Sequence, residues 1–321
     1  MKAVLYDTYG GPEVLSLREY DPPALGHDEV RVAPVAVSVN AIDGKIRRGE
    51  LTLMAGRHFP KRIGQDFSGL VTEVGSHVEE WAVGQEVYGC CRGMKNGALG
   101  DVATLASDCV AAKPTTLAHT VAASVPMVGL AALQALTHVA RVDEGSRVLV
   151  NGCTGGVGLF ALQIARHLGA EVTGVAATEN LALAEAFGAH AVLDYRTASV
   201  ADLSERFDVV LELSGKLSFE QAERVLTPHG RYVDVSPSAG ALIGNALANP
   251  LRQHKHSFLL MKPHSSDLAR LASWLDDGTL LPPPVREYAL ESMGDAFEAA
   301  EGGRVAGKVV IRVRPEPELP A

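Results

Sequence analysis

The stretch that decides the fold is Val148-Leu149-Val150-Asn151-Gly152-Cys153-Thr154-Gly155-Gly156-Val157-Gly158. A short apolar strand is predicted first, a glycine-rich turn follows, and an apolar helix begins near the end of the stretch. Helix N-termini carry free backbone N–H groups and the positive end of the helix dipole, so this turn favours an anion. The GxxGxxG pattern between a strand and a helix predicts a dinucleotide site. Its candidate residues are Thr154, Gly155, Gly156, Val157 and Gly158.

The segments around this turn alternate between predicted strands and helices. The predicted strands are residues 148–151, 171–176, 191–194, 209–213 and 231–235. Helical stretches between them predict βαβ units, and therefore a doubly wound parallel sheet of the α/β class. Residues 1–120 differ, because short apolar runs such as 2–6 and 29–39 are separated by Gly, Pro, Asp and Asn. This spacing predicts a β-rich domain.

Composition limits the class of protein. The chain has 321 residues, and 29 basic against 38 acidic side chains give a formal net charge of −9. Nucleic-acid-binding proteins carry basic faces, so we expect no nucleic-acid partner and no adhesion to acidic membranes. The four cysteines include no CxxC pair, which argues against a disulfide scaffold or a zinc ribbon. No export leader or membrane span is visible, so we expect a cytoplasmic protein.

The end of the second strand of the predicted sheet bears on the choice of cofactor. NAD enzymes usually place Asp or Glu there, whereas this strand ends in Val-Ala-Ala-Thr at residues 175–178. A carboxylate would repel a 2′-phosphate, so its absence favours NADPH over NAD, although Glu179 lies close by. The residues that can hold the phosphate are Thr178, Asn180, Tyr195 and Arg196.

Further motifs occur in a characteristic order along the chain. They are Val39-Asn40-Ala41-Ile42-Asp43, Gly64-Gln65-Asp66-Phe67-Ser68-Gly69, the glycine-rich turn, Ala191-Val192-Leu193-Asp194-Tyr195-Arg196 and Gly307-Lys308-Val309-Val310. With these motifs the chain resembles the medium-chain dehydrogenase/reductase superfamily, in its zinc-independent quinone oxidoreductase branch. The resemblance implies a GroES-like catalytic domain of residues 1–120, to which residues 262–321 return, and a Rossmann domain of residues 121–261. It also implies an active site in the cleft between the domains, and a homodimer.

Zinc enzymes of this superfamily hold the catalytic ion with two Cys and one His side chain. By resemblance, the matching positions here are Asn40, Gln65 and approximately Met127. Neutral amides and a thioether do not make a tight zinc site, so we expect no zinc. Without a Lewis acid the acceptor must bring its own electrophilicity. We therefore expect hydride transfer from NADPH to a small-molecule electron acceptor, either a quinone or an α,β-unsaturated carbonyl compound.

The candidate catalytic residues are Asn40, Asp43 and Gln65. Asn40 can donate a hydrogen bond to the substrate oxygen or to the nicotinamide ribose. Asp43 can orient this loop or bind Arg47, and a loop-capping role fits the sequence as well as a catalytic one. Gln65 can line the cleft or fix a turn. The resemblance implies further cofactor contacts at Ser214, Ser236, Leu260 and Lys308.

Two other functions are compatible with the sequence. One is an enoyl-thioester reductase of a biosynthetic pathway, because an acyl carrier would favour a basic rim around the cleft. Five basic side chains can form such a rim or a solvated face: Arg47, Arg48, Arg57, Lys61 and Arg62. The other is a non-catalytic NADPH-binding protein. Residues 51–60 contain no Tyr or Trp, which leaves this predicted cleft loop without either ring to stack on a quinone.

Overall fold

The computed structural model describes residues 1–93, 96–235, 249, 254–303 and 305–317. The chain divides into two compact units. Unit 1 comprises residues 1–127, 262–278 and 282–321, and unit 2 comprises residues 128–261 and 279–281. The chain therefore leaves unit 1 after residue 127 and returns to it at residue 262.

Strands and helices cover most of the described residues. The strands are β1 (Lys2–Tyr6), β2 (Ser16–Glu19), β3 (Glu29–Val39), β4 (Lys61–Arg62), β5 (Asp66–Val74), β6 (Glu86–Cys90), β7 (Ala103–Ala106), β8 (Val110–Ala112), β9 (Arg147–Asn151), β10 (Glu171–Ala176), β11 (Ala191–Asp194), β12 (Phe207–Glu212), β13 (Leu226–Asp234), β14 (Lys255–Phe258), β15 (Val285–Ala289) and β16 (Lys308–Arg312). The α-helices are α1 (Ala41–Arg47), α2 (Thr52–Ala55), α3 (His119–Ala122), α4 (Pro126–Gln134), α5 (Gly156–His167), α6 (Leu181–Ala186), α7 (Phe219–Glu223), α8 (Ser265–Asp276) and α9 (Met293–Glu301).

Unit 1 is built on a mainly antiparallel sheet of seven strands. Its order is β15-β16-β3-β5-β6-β8, and β7 also pairs with β3. Three further antiparallel strands form a second sheet in the order β2-β1-β4. This arrangement confirms the predicted β-rich domain, and β1 and β3 have the bounds that the sequence predicts.

Apolar side chains of β3 and β5 form part of the core of unit 1. Val30, Val32 and Phe67 are fully buried there, because alternate residues of a strand point to the same face. Helix α9 adds Phe297 to the same core. In the register of β3 and β5, Ser38 pairs with Asp66, so the end of β3 lies beside the start of β5. This pairing positions the polar residues described below.

Unit 2 contains a sheet of six strands, which all pair in parallel in the order β11-β10-β9-β12-β13-β14. In chain order within the unit this is 3-2-1-4-5-6, the doubly wound arrangement. The predicted α/β class and parallel sheet are therefore confirmed. The strand order reverses between β9 and β12. Ligands of such sheets bind outside the carboxyl ends of the strands at this point, which here are Asn151 and Glu212.

The longest apolar stretch, residues 121–140, forms buried helix as expected. It contains α4, which starts at Pro126, where the missing proline N–H is tolerated. A π-helix, Ala135–Ala140, continues α4 directly. Leu130, Leu133 and Leu136 of this segment are fully buried. Among the described residues, no helix combines the length and the apolar character needed to cross a membrane.

Candidate active site

The glycine-rich turn joins β9 to α5. Gly152 has a φ of +83°, a left-handed conformation that glycine adopts without strain. Gly155 is the N-cap of α5, and no side chain caps this end of the helix. The first backbone N–H groups of a helix have no intrahelical partners. They are therefore free to bind an anion, as the dinucleotide hypothesis requires.

Two glycines of the turn have different spatial roles. A Cβ on Gly155 would meet one described atom within 4 Å, the Gly152 carbonyl oxygen at 3.7 Å, so the space in front of the turn is open. A Cβ on Gly158 would lie 2.5 Å from backbone atoms of Cys153, so Gly158 permits α5 to pack closely on the turn. The N–H groups of Gly152 and Cys153 both donate to the Val175 carbonyl oxygen, at 3.1 Å, which ties the turn to β10. This open and rigid turn fits a pyrophosphate.

The predicted residues of the turn lie together but differ in exposure. Gly155 is exposed, while Gly156 and Val157 are half-buried. Thr154 and Gly158 are buried. Gly155, Gly156 and Val157 are thus the accessible part of the predicted site.

A buried carboxylate lies at the carboxyl ends of β9 and β12. Glu212 is 2% exposed. It accepts hydrogen bonds from Asn151 Nδ2 at 2.6 Å and from the Ser214 hydroxyl at 2.7 Å. Asn151 Nδ2 also donates to Ser214 Oγ at 2.9 Å, and the Lys216 N–H donates to both Glu212 and Ser214. This Asn151–Glu212–Ser214 network fixes the loop that carries the predicted contact Ser214.

Sequence reasoning missed Glu212 as a site residue. The residue ends the apolar strand β12 beside the strand on which the glycine-rich turn begins. A charged residue at the carboxyl end of a strand next to the switch point was the indication that could have found it.

The predicted phosphate-binding residues lie at the carboxyl ends of β10 and β11, beside two carboxylates. The Thr178 hydroxyl donates to Asp194, and this hydrogen bond holds the pKa of Asp194 below its usual value. Arg196 forms an ion pair with Glu179 at 2.6 Å, and the same contact lowers the pKa of Glu179. The Arg196 guanidinium therefore lies near two carboxylates, those of Glu179 and Asp194.

The other two candidates of this group flank these contacts. Tyr195 is 54% exposed, and the Arg196 guanidinium lies 5.8 Å from its ring centroid. Asn180 ends the short helical turn Thr178–Asn180, and its N–H donates to the Ala177 carbonyl oxygen. The structure thus gathers all four predicted residues at one edge of the parallel sheet.

In unit 1, Asn40 stands between β3 and α1 as the N-cap of that helix. Its backbone N–H donates to Asp43 Oδ2 at 2.8 Å, which closes the first turn. Asn40 is 6% exposed and Asp43 is fully buried. Of the two contacts expected of Asp43, the loop-capping one is present. The side chain of Arg47 instead donates to the Gly10 carbonyl oxygen and to Glu301.

The side-chain amide of Asn40 lies between a carboxylate and an ammonium group. Asn40 Nδ2 donates to Asp66 Oδ2 at 3.0 Å. Lys308 Nζ donates to Asn40 Oδ1 at 2.6 Å and to the Val39 carbonyl oxygen at 2.8 Å. Asp66 also accepts the Met127 N–H at 3.0 Å. Asp66 is therefore the centre of this cluster. The sequence predicted of Asp66, as of Gln65, only that it lines the cleft or fixes a turn.

Burial sets the charge state of this cluster. Burial, with a contribution from the neighbouring Asp66, raises the pKa of Asp43 to about 7, while hydrogen bonds and Lys308 oppose the shift. Burial also raises the pKa of Asp66 and lowers that of Lys308. Burial therefore disfavours the charged form of all three groups, while the attraction between Lys308 and the two carboxylates opposes these shifts.

The three positions that correspond to zinc ligands hold amide and thioether side chains. Asn40 binds Asp66 and Lys308 as described, and Gln65 Nε2 donates to the Asn96 carbonyl oxygen at 3.0 Å. Met127 meets Asp66 through its backbone N–H. In the part of the chain that is described, no group of three or more His, Cys, Asp or Glu side chains is arranged to hold a metal ion. The chemistry of these three side chains does not suit zinc.

The remaining predicted contacts are scattered. Lys308 is 5% exposed and donates to Val39 and Asn40 of unit 1, so its cofactor contact stays a prediction. Leu260 follows β14 in unit 2 and is 73% exposed. Ser236 lies outside the described residues.

Two of the five basic side chains expected at the rim are buried, whereas Arg48 is exposed and Arg62 is half-buried. Arg47 is fully buried, and Lys61 is 7% exposed with its ammonium group on the Ala55 carbonyl oxygen. Arg48 is bound by Glu50 and Glu301, and Arg62 donates to the Val102 carbonyl oxygen. Arg57 is exposed. Four of the five side chains are thus engaged by local partners, because charged groups next to an apolar core need them.

Comparison with known proteins identifies the class. A family model described as the alcohol dehydrogenase GroES-like domain matches residues 26–110. Another, described as zinc-binding dehydrogenase, matches residues 187–311. Together with the parallel sheet and its glycine-rich turn, these matches define an NAD(P)-binding dehydrogenase with a GroES-like domain.

Two relatives and one solved structure indicate the branch of this class to which the chain belongs. The 2-methylene-furan-3-one reductase of Solanum lycopersicum is 31% identical, over 98% of this chain and 80% of its own. A chloroplastic NADPH-dependent alkenal/one oxidoreductase of Arabidopsis thaliana is 29% identical, over 97% of this chain and 79% of its own. The structure of the quinone oxidoreductase from Coxiella burnetii superposes with a TM-score of 0.87 at 30% identity, covering 98% of this chain and 99% of that one. The chain belongs to the medium-chain dehydrogenase/reductase superfamily, in its quinone oxidoreductase-like branch.

Proposed function

We propose that this protein is an NADPH-dependent, zinc-independent oxidoreductase that reduces a quinone or an α,β-unsaturated carbonyl compound. The observation that carries the proposal is the set of side chains at the three positions of the zinc ligands, Asn40, Gln65 and Met127. Such a set favours an acceptor that is oriented by hydrogen bonds and brings its own electrophilicity. The names of the tomato and Arabidopsis relatives describe conjugated carbonyl compounds, which supports the same class of substrate.

When bound, NADPH supplies the hydride for the electrophilic carbon of the acceptor. In this proposal the N–H groups at the start of α5 bind the pyrophosphate, and Gly155 leaves room for it. The Asn151–Glu212–Ser214 network holds the loop after β12 in one conformation, so Ser214 meets the cofactor from a fixed position.

Asn40 has the role of orienting the acceptor. Its Nδ2 group carries two N–H donors, of which one binds Asp66. The second donates to the carbonyl oxygen of the acceptor, where negative charge develops during reduction. A conjugated acceptor spreads this charge over several atoms, so a hydrogen bond and correct orientation suffice. Solvent supplies the proton.

The preference for NADPH depends on the carboxyl end of β10. Ala176 and Ala177 put no carboxylate where NAD enzymes bind the ribose, and Arg196 is the nearby cation. Because Arg196 is paired with Glu179, a 2′-phosphate has to compete with that carboxylate. We expect Glu179→Gln to raise kcat/KM for NADPH and Arg196→Gln to lower it, with little change for NADH. Equal effects on both cofactors would refute this part of the proposal.

The test of the proposed activity is the oxidation of NADPH in the presence of 1,2-naphthoquinone or an α,β-unsaturated ketone, followed by the loss of cofactor absorbance. Turnover supports the proposal. Tight NADPH binding without oxidation across a panel of acceptors would favour a non-catalytic NADPH-binding protein. A preference for enoyl thioesters in the same panel would favour the enoyl-thioester reductase. The burial of Arg47 and Lys61 removes two of the five basic side chains from the rim that had favoured that alternative.

Two further predictions belong to this proposal. We infer from the resemblance that the protein is a homodimer, which light scattering of the purified protein tests directly. We also retain the cytoplasmic location that the sequence favours. Cell fractionation tests this location, and recovery of the protein from an organelle would contradict it. The name of the Arabidopsis relative places that protein in the chloroplast.

A further inference from the structure

The two neighbours of the Asn40 side chain fix which way its amide faces. A lysine ammonium group only donates hydrogen bonds, and an ionised carboxylate only accepts them. Lys308 therefore requires Asn40 Oδ1, and Asp66 requires Asn40 Nδ2. Rotating the amide by half a turn would set donor against donor and acceptor against acceptor. The amide is thus held in one of its two orientations.

This arrangement is costly for the fold. Lys308 is 5% exposed and Asp66 is fully buried, and placing a charged group in the interior carries a desolvation cost that its partners repay only in part. An apolar pair would fill the same place at no electrostatic cost. What the charged pair supplies, and an apolar pair could not, is the orientation of the amide between them.

We propose that Lys308 and Asp66 are positioning residues, which lock the Asn40 amide so that its second Nδ2 proton is presented to the oxygen of the acceptor. The proposal rests on the proposed function for the role of Asn40, but it assigns separate roles to Lys308 and Asp66. It moves Lys308 from direct cofactor contact to an action through Asn40. The fixed donor costs no reorganisation when charge develops on the acceptor.

The decisive experiment is the double variant Lys308→Met/Asp66→Asn. Lys308→Met alone leaves Asp66 buried without its cation, so we expect its melting temperature to fall. The double variant removes both charges, and we expect the melting temperature to recover. It also removes the restraint on the orientation of the Asn40 amide, because Asn at position 66 can donate to Asn40 Oδ1 and hold the amide in the reversed orientation. We expect kcat to stay about 100-fold below the wild type, the effect of losing one such donor, with the Kd for NADPH unchanged.

A matched control is available in the same unit. Lys113 is another buried lysine, paired with Glu86 at 3.3 Å, and its ammonium group donates to the Pro114 and Leu117 carbonyl oxygens. Lys113→Met/Glu86→Gln removes a lysine and its carboxylate partner elsewhere in unit 1 without touching Asn40. We expect kcat of this variant to remain within a few-fold of the wild type. A role of Lys308 and Asp66 in stability alone would make the two double variants behave alike.

The outcome separates this proposal from the proposed function. If the wild type turns over and Lys308→Met/Asp66→Asn retains its kcat, the positioning roles are wrong and the function stands. If the wild type reduces no acceptor, the proposed function is wrong. The orientation of the Asn40 amide is then tested by the NMR signals of its side-chain NH2 group, which the variant Asn40→Ala assigns. Shifted Asn40 amide signals in the double variant support the lock, and unchanged signals overturn it.

Discussion

Replacing Asp43 by Asn should change how the stability of unit 1 depends on pH. Burial raises the pKa of Asp43 from 3.8 to about 7. Because the folded-state pKa lies above the unfolded one, the folded protein holds a proton that the unfolded chain releases. The contribution to stability is fully present below about pH 4 and is lost as the pH rises through 7. Asn at position 43 cannot titrate, so the variant lacks this dependence.

The size of the effect follows from the shift. A pKa change of one unit corresponds to about 1.4 kcal/mol, so the complete loss amounts to roughly 4 kcal/mol. Between pH 5 and pH 8 the linkage relation leaves roughly 2–3 kcal/mol of it. We therefore expect the wild type to lose that much stability relative to Asp43→Asn over this interval. The variant keeps a carbonyl oxygen that can accept the Asn40 N–H now bound to Asp43.

Denaturation by urea, followed by tryptophan fluorescence, measures this difference. Both tryptophans, Trp81 and Trp274, lie in unit 1, so the signal reports on the unit that contains Asp43. Asp21→Asn, which changes an exposed carboxylate of the same unit, is the control and should leave the pH dependence unaltered. Parallel stability curves for the wild type and Asp43→Asn from pH 5 to pH 8 would refute the reasoning.

Three further predictions concern the two units. Gly155→Ala should leave the melting temperature unchanged but raise the Kd for NADPH by about tenfold. Gly158→Ala should cost about 1–3 kcal/mol of stability, because the added Cβ would overlap the backbone of Cys153. Equal losses of stability in the two variants would contradict this difference. Arg47→Met should destabilise the protein by about 3–5 kcal/mol, because it removes the fully buried partner of Glu301. Arg48→Met removes a half-exposed partner of the same carboxylate and should cost less than about 1 kcal/mol, and similar denaturation midpoints for the two variants would disprove the role of burial. Metal analysis of the purified protein should find far less than one zinc ion per chain, and stoichiometric zinc would overturn the argument from Asn40, Gln65 and Met127.

Much of the fold could be predicted because its determinants are local. Apolar strands and helices alternate along one continuous part of the chain after residue 147. The glycines at positions 152, 155 and 158 lie close together within it. Parallel strands joined by helices have few possible arrangements, so the pattern leads directly to the doubly wound sheet. Strands β1, β3, β10 and β11 have the bounds that the sequence predicts.

The candidate site was predicted only in part. Asn40 and Lys308 were singled out by their motifs, but their contact joins residues 268 positions apart and depends on the pairing of β16 with β3. The role of Asp66 as the acceptor of both Asn40 and Met127 was not foreseen for the same reason. Exposure was also misjudged, since the sequence does not show that Arg47 meets Glu301 inside the fold.

The class of fold, the position of the phosphate-binding turn and the neutral side chains at the positions of the zinc ligands all follow from the amino-acid sequence. These features depend on the identity and spacing of neighbouring residues. Three other properties emerge from the folded chain: which charges are buried, which carboxylate faces Arg196 and which way the Asn40 amide is held. Those properties depend on desolvation and on donors and acceptors brought together from distant parts of the chain, and no local pattern encodes them.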